Sequence, residues 1–285
     1  MHTVSKPLAA ALPCDAPIGV FDSGVGGLSV LRHIRALLPQ ENLIYFADSG
    51  FAPYGDKPEQ VVVARSLAVA DFLVRRGAKA LVVACNTATV AAIKSVREHY
   101  PQLPIVGVEP GLKPAVALSR SGKIGVLATD RTLSGEKFLQ LREQIASASK
   151  AEFLLQACIG LVDQIELGEF DSEATMALLE RYIAPLLEQG ADTLVLGCTH
   201  YPFVRAAIES VVARTTTQAV TLVDTGDAVA RQLARLLSAA GLLRQAAAAP
   251  SLQGYSSAGA AALALAFSGL LGLSTDVTEI SITKN

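Results

Sequence analysis

The chain has no surplus of positive charge and no stretch in which lysine and arginine gather. Over 285 residues, 24 Lys and Arg oppose 26 Asp and Glu, for a net charge of -2. Such a balance lacks the electrostatic footprint of a nucleic-acid binder, so nucleic acid is excluded as the main partner. A membrane span is missing as well. The apolar fraction of 51% and the mean hydropathy of +0.40 are high, yet the best candidate, the uncharged stretch 245–275, is broken by Pro250, Gln253, Ser256, Ser257, Gly259, Ser268, Gly269 and Gly272. A helical span needs about 20 predominantly apolar residues; a buried amphipathic helix near 258–271 is expected instead. Cysteine is scarce. The four, at 14, 85, 158 and 198, are separated by 71, 73 and 40 residues, which makes neither a disulfide framework nor a paired C-x-x-C zinc site and places the chain in a reducing cytoplasm. A zinc site assembled from Cys85, Cys158, Cys198 and His200 would span long separations with no second histidine. The short apolar run between Pro7 and Pro13 is a poor secretion signal, and residues 1–16 are read as a disordered leader.

What is present is an alternation. Runs rich in Val, Ile and Leu at 18–21, 43–46, 80–84, 105–108, 124–128, 153–156, 193–197, 219–223 and 277–282 are separated by helix-length segments, such as 59–75, with apolar residues at three- and four-residue spacing. Continuous apolar strands between helices predict a mostly parallel sheet covered on both faces, an α/β fold. The length is about twice the common single-domain size. Turn-rich breaks near 110–114 and 224–226 divide it into a first lobe, 17–111 with 225–285, and a second lobe, 112–224, with a linker at 246–250.

The two lobes resemble each other. Ile18-Gly-Val-Phe-Asp22-Ser23 matches Ile124-Gly-Val-Leu-Ala128-Thr129 at an offset of 106, and Ala80-Leu-Val-Val-Ala-Cys85-Asn86-Thr87 matches Thr193-Leu-Val-Leu-Gly-Cys198-Thr199-His200 at an offset of 113. Two pairs in one order at nearly one offset suggest related half-molecules with equivalent cysteines. Each cysteine follows a buried run and precedes helix-capping residues, Asn86 and Thr87 in one case, Thr199 with Pro202 behind it in the other. That is where open α/β sheets place ligands, and a helix start favours thiolate. Two facing thiols suit a reaction that removes a proton from one side of a carbon and returns one to the other; a Cys-His hydrolase needs only one. Asp22-Ser23-Gly24-Val25-Gly26-Gly27 is a close-approach turn whose spacing is not that of a nucleotide loop. Asp48-Ser49 and Pro53-Tyr54-Gly55 form a second polar turn fit for a carboxylate or amine ligand. No metal ligand cluster and no phosphate loop is apparent, so no cofactor is expected.

Five motifs in order, Asp22-Ser-Gly-Val-Gly-Gly, Ala47-Asp-Ser with Pro53-Tyr54-Gly55, Ala84-Cys-Asn-Thr-Ala-Thr, Gly107-Val-Glu-Pro and Gly197-Cys-Thr-His-Tyr-Pro, strongly resemble the glutamate racemases of the aspartate/glutamate racemase superfamily. The similarity runs from about Ile18 to the C-terminus. It implies two pseudo-symmetric α/β lobes with the site in the cleft between them, and cofactor-independent interconversion of L- and D-glutamate in the cytoplasm, feeding D-glutamate to peptidoglycan. Carried over, the resemblance makes Cys85 the group that exchanges the α proton with D-glutamate and Cys198 the one for L-glutamate. Asp22 would assist Cys85, and His200 with Glu166 would assist Cys198. Asp22, Ser23, Tyr54, Gly55, Asn86, Thr87, Thr129, Thr199 and His200 are the implied substrate contacts. The segment from Ala157 to Glu166 is looser than the proline-containing form common in the family, and a homodimer is compatible with the reading. An aspartate or other amino-acid racemase of the superfamily, and a non-catalytic binding or inhibitor protein, are the alternatives.

Overall fold

The structure, a computed structural model, describes residues 13–245 and 248–282. Of the expected leader, residues 1–12 lie outside the described ones; Ala16 donates to the Pro13 carbonyl in a turn ahead of the first strand. Among the described residues ten strands follow: β1 (Ile18–Asp22), β2 (Leu43–Ala47), β3 (Ala80–Val83), β4 (Ile105–Gly107), β5 (Lys123–Ala128), β6 (Glu152–Ala157), β7 (Thr193–Leu196), β8 (Thr221–Val223), β9 (Leu252–Ser256) and β10 (Val277–Glu279). They build two sheets, in the orders β10-β9-β2-β1-β3-β4 and β6-β5-β7-β8. Every pairing is parallel.

The order β2-β1-β3-β4 recurs as β6-β5-β7-β8, so β1 corresponds to β5 and β3 to β7. Register repeats too: Gly19 pairs with Leu81 and Gly125 with Leu194. In both lobes the glycine makes room for a helix leucine. A Cβ on Gly19 would stand 3.1 Å from the Leu73 side chain, and one on Gly125 2.9 Å from Leu186.

The inner strands β1, β3, β5 and β7 are mostly apolar because both faces are covered. Along β1, Ile18 and Val20 enter one core and Phe21 the opposite one; along β7, Leu194 and Leu196 enter one and Val195 the other. Side chains alternate across a strand, so a two-sided core leaves few polar positions, Asp22 and Thr193 at strand ends among them.

The strand β9 was not among the expected ones. Its sequence, Leu-Gln-Gly-Tyr-Ser, has no apolar run, and it is recruited by pairing with β2 on one side and β10 on the other. The expected last strand, 277–282, ends at Glu279; beyond it Ile280 donates to Ser256 and the chain turns onto the helix Glu59–Arg75. The expected helix near 258–271 is Ala260–Leu271. Among the described residues no helix is long and apolar enough to cross a membrane.

Candidate active site

Both cysteines stand where β3 and β7 end. Cys85 itself is the N-cap of the helix Asn86–His99: its extended backbone lets Sγ accept from the Ala88 N–H at 3.4 Å. The expected caps, Asn86 and Thr87, are instead the first helical residues, which leaves their N–H groups without intrahelical acceptors. At Cys198 the expected parallel is looser. Thr199 caps nothing; a 3-10 turn, Tyr201–Val204, intervenes before the helix Arg205–Thr215, with Pro202 inside that turn. A short turn aligns fewer peptide dipoles than a long helix, so the electrostatic help expected for a thiolate is unequal at the two sites.

A different partner serves Cys198. His200, only two residues on, turns its ring back so that Nδ1 lies 3.6 Å from Sγ, while Nε2 lies 2.6 Å from Glu166 Oε1. Glu166 ends the helix Leu161–Glu166 and also accepts from the Val25 N–H at 3.1 Å. Burial disfavours a charged His200, but its hydrogen bonds to Cys198 and Glu166 outweigh that and hold its pKa well above the usual imidazole range. Burial pushes the Glu166 carboxyl up; the bond to His200, that group's charge and the Val25 N–H more than reverse this and lower it. The result is a thiol–imidazole–carboxylate chain, buried at Cys198 and His200 and reaching solvent at Glu166.

Cys85 has an opposite environment. Burial, and after it the negative charge of Asp22, push its thiol up to about 12 despite the Ala88 N–H. The helix start expected to favour thiolate loses to desolvation here. Ser23 Oγ lies 3.8 Å from Sγ. Asp22, fully buried, accepts from the Gly24 N–H at 2.7 Å and from Thr199 Oγ1 at 3.0 Å. Burial still raises its pKa, against the lowering charge of His200 and the Gly24 N–H.

The glycine turn after β1 is the seam between the lobes. A Cβ on Gly24 would collide with the Glu166 carboxylate and one on Gly26 with the His200 ring. Hydrogen bonds also cross the seam, among them Thr199 to Asp22, Val25 to Glu166, Ser29 Oγ to the Thr199 carbonyl at 2.8 Å, and Thr87 Oγ1 with Thr129 Oγ1 at 3.0 Å.

Ser23, Tyr54, Gly55, Cys85, Asn86, Thr87, Thr129, Cys198, Thr199 and His200 line one cavity, joined by Pro53 and Val162. Asp22 and Glu166 stand a layer behind its wall. The cavity measures about 20 Å³, room for about one water. Cys158 is not in the wall; its buried thiol donates to the Gln156 carbonyl at 3.6 Å. Among the described residues no three His, Cys, Asp or Glu side chains are disposed to hold a metal ion.

Several polar residues behind the wall were not singled out in the sequence: Ser29, Tyr45, Arg65 and Thr132. Tyr45 donates to the Gly24 carbonyl at 2.8 Å and Thr132 Oγ1 lies 2.9 Å from Thr129 Oγ1. Arg65 had a readable signal, a lone charge between Val62 and Val69 on the apolar face of its helix.

Comparison with known proteins agrees with this architecture. The Asp/Glu/Hydantoin racemase family matches residues 18–233. A glutamate racemase of Methylococcus capsulatus is 55% identical over 248 residues, 87% of this chain and 89% of that protein. One from Cupriavidus pinatubonensis is 50% identical over 267 residues, 94% and 96% of the two chains. Among solved structures, glutamate racemase from Francisella tularensis in complex with D-glutamate superposes with a TM-score of 0.82 at 26% identity, covering 94% of this chain and 98% of that one. Escherichia coli glutamate racemase, in complex with L-glutamate and the activator UDP-MurNAc-ala, gives 0.80 at 31%, covering 94% and 100%. With its duplicated β-sheet order, its paired cysteines and these relatives, the chain is an amino-acid racemase of the Asp/Glu/Hydantoin racemase family, among the glutamate racemases.

Proposed function

We propose that this protein interconverts L- and D-glutamate without a cofactor, in the cytoplasm, and that the D-glutamate feeds peptidoglycan synthesis. The observation that carries the reading is that Cys85 and Cys198, at equivalent strand ends of two like lobes, line one cavity. In the L-to-D direction the Cys198 thiolate takes the α proton, and the Cys85 thiol delivers its own to the opposite face of the carbanion. Charge balances, since one thiolate is consumed and one formed. The D-to-L direction starts from that second state. His200, hydrogen-bonded to both Cys198 and Glu166, stabilises negative charge on Cys198 when it gives up its proton, and Asp22 assists Cys85 from behind the cavity wall.

The carbanion needs electrostatic help in a dry site. The N–H groups of Asn86 and Thr87 at the helix start supply that help, while those of Tyr54 and Gly55 at the start of the 3-10 turn Tyr54–Asp56 bind a substrate carboxylate, with Thr199 and Thr129 closing from the second lobe. Asn86 Oδ1 is buried with no partner among the described residues. A buried orphan acceptor calls for a donor, and the substrate ammonium provides one. The lobe division at about 111 and 225 is part of the same proposal, since each lobe would carry one base.

The test is α-deuterium wash-in from heavy water with L-glutamate, D-glutamate, aspartate and glutamine, followed by optical rotation. Glutamate should exchange far faster than the others, because a shorter or uncharged substrate leaves donors unpaired, which discriminates by up to ~10⁴-fold. Equal exchange with aspartate moves the assignment to an aspartate racemase; exchange with none favours a binding protein.

A further inference from the structure

Tyr54 lines the cavity, but its hydroxyl is not free to meet a ligand. The O–H donates to Asp48 Oδ2 at 2.5 Å, and Tyr54 is only 1% exposed. A phenol has one proton to give, so what this residue offers the cavity is its backbone and ring face.

Asp48 is in turn saturated. It is fully buried at the end of β2, and its own N–H donates to the Asp22 carbonyl at 2.9 Å. Arg65 approaches it as a fork, Nε to Oδ2 at 3.0 Å and Nη2 to Oδ1 at 2.6 Å. The third edge of the guanidinium, Nη1, donates to the Ile282 carbonyl at 2.9 Å, and its face lies 3.7 Å from the centre of the Phe51 ring. Neither Asp48 nor Arg65 touches the cavity.

We infer that Asp48 and Arg65 are positioning residues that hold the Pro53-Tyr54-Gly55 turn against the cavity through the Tyr54 hydroxyl. This rests on the reading that the turn's N–H groups bind a substrate carboxylate. A bidentate pair fixes the carboxylate's rotation as well as its place, and Asp48 transmits that rotation to Tyr54. Binding through such a cradle acts alike on ground and transition states, so its loss raises KM more than it lowers kcat.

The experiment measures kcat and KM for L-glutamate in Tyr54→Phe, Arg65→Lys, Asp48→Asn and the double variant Tyr54→Phe/Arg65→Lys, with melting temperature read separately. Tyr54→Phe should raise KM roughly tenfold, the scale of one hydrogen bond to a charged group, and keep most of kcat. Arg65→Lys should raise KM in the fully wild-type background and do little more once Tyr54 is Phe. Multiplying effects in the double variant, or an unchanged KM in Tyr54→Phe, overturn the inference. Should Arg65→Lys not fold, Asp48→Asn combined with Tyr54→Phe provides the same comparison, and Tyr54→Phe alone still decides. A wild-type protein that exchanges no glutamate refutes the racemase reading itself, which a wild-type KM in the variants does not.

Discussion

His200 Nε2 stands 2.6 Å from Glu166 Oε1, and the two side chains pack over the bare α-carbons of Gly26 and Gly24. The pair belongs to the second lobe and the glycines to the first, so the contact that raises the His200 pKa lies within one lobe and is packed against the glycine turn of the other.

A methyl group at this seam should therefore separate the lobes rather than unfold either. Gly24→Ala and Gly26→Ala each place a Cβ inside the Glu166–His200 pair. Misplacement of reacting groups by about 1 Å can reduce rates ~10²-fold. We expect that loss in kcat/KM with little change in melting temperature; full activity in both variants would contradict the close-packed seam.

Removal of either thiol should stop the reaction. Acid/base groups contribute ~10²–10⁴-fold, so Cys85→Ala and Cys198→Ala should each lose at least that much racemization. Turnover near wild type in either one would eliminate a two-base mechanism.

Of the two cavity thiols the His200–Glu166 pair touches only that of Cys198, so its loss should be directional. In His200→Asn and Glu166→Gln, kcat from L-glutamate should fall more than kcat from D-glutamate. The enantiomers have equal free energy, so kcat/KM must remain equal in the two directions and KM must shift in compensation. Equal falls in both kcat values would detach the pair from Cys198.

The thiol of Cys85, pushed up to about 12 by burial and the charge of Asp22, should be protonated at neutral pH. An unfolded cysteine titrates near ~8.5. With the folded value above the unfolded one, the folded state is undisturbed below ~8.5 and loses stability as pH rises toward about 12. Alkylation by iodoacetamide, mapped by mass spectrometry, should mark the exposed Cys14 long before Cys85. Asp22→Asn should bring Cys85 ionisation to lower pH. Labelling of Cys85 as fast as Cys14 at neutral pH would show the burial argument to be wrong.

Asp192, just ahead of β7, behaves in the reverse sense. Burial raises its pKa, but hydrogen bonds from Ser119 and the N–H groups of Ser121 and Arg120 dominate and bring it to about 2. The folded value lies below the unfolded ~3.9, so the stabilisation is complete above ~3.9 and disappears as pH falls toward about 2. Thermal melts of Asp192→Asn should lie below wild type at neutral pH and converge with it in acid. A constant gap down to pH ~2 would rule the linkage out.

Sequence alone carried the alternation of two-sided apolar strands with helices, because a strand buried on both faces is apolar at nearly every position, and it carried the repeated Cys-containing strand ends that mark two like lobes. The five motifs and the residues drawn from them were legible for the same reason: each lies within a short contiguous segment. What the tertiary structure decided depends on contacts between distant segments. β9 has a sequence that reads as loop and becomes a strand because β2 and β10 offer it free edges. His200 follows Cys198 too closely for spacing to say that its ring turns back onto the thiol. The contact depends on Glu166, 34 residues earlier, and on glycines from the other lobe that leave space for both. The protonation of Cys85 follows the same rule. The helix start is visible in sequence and favours thiolate, while the burial and the Asp22 charge that outweigh it arise only when the β1 and β3 strand ends are brought side by side.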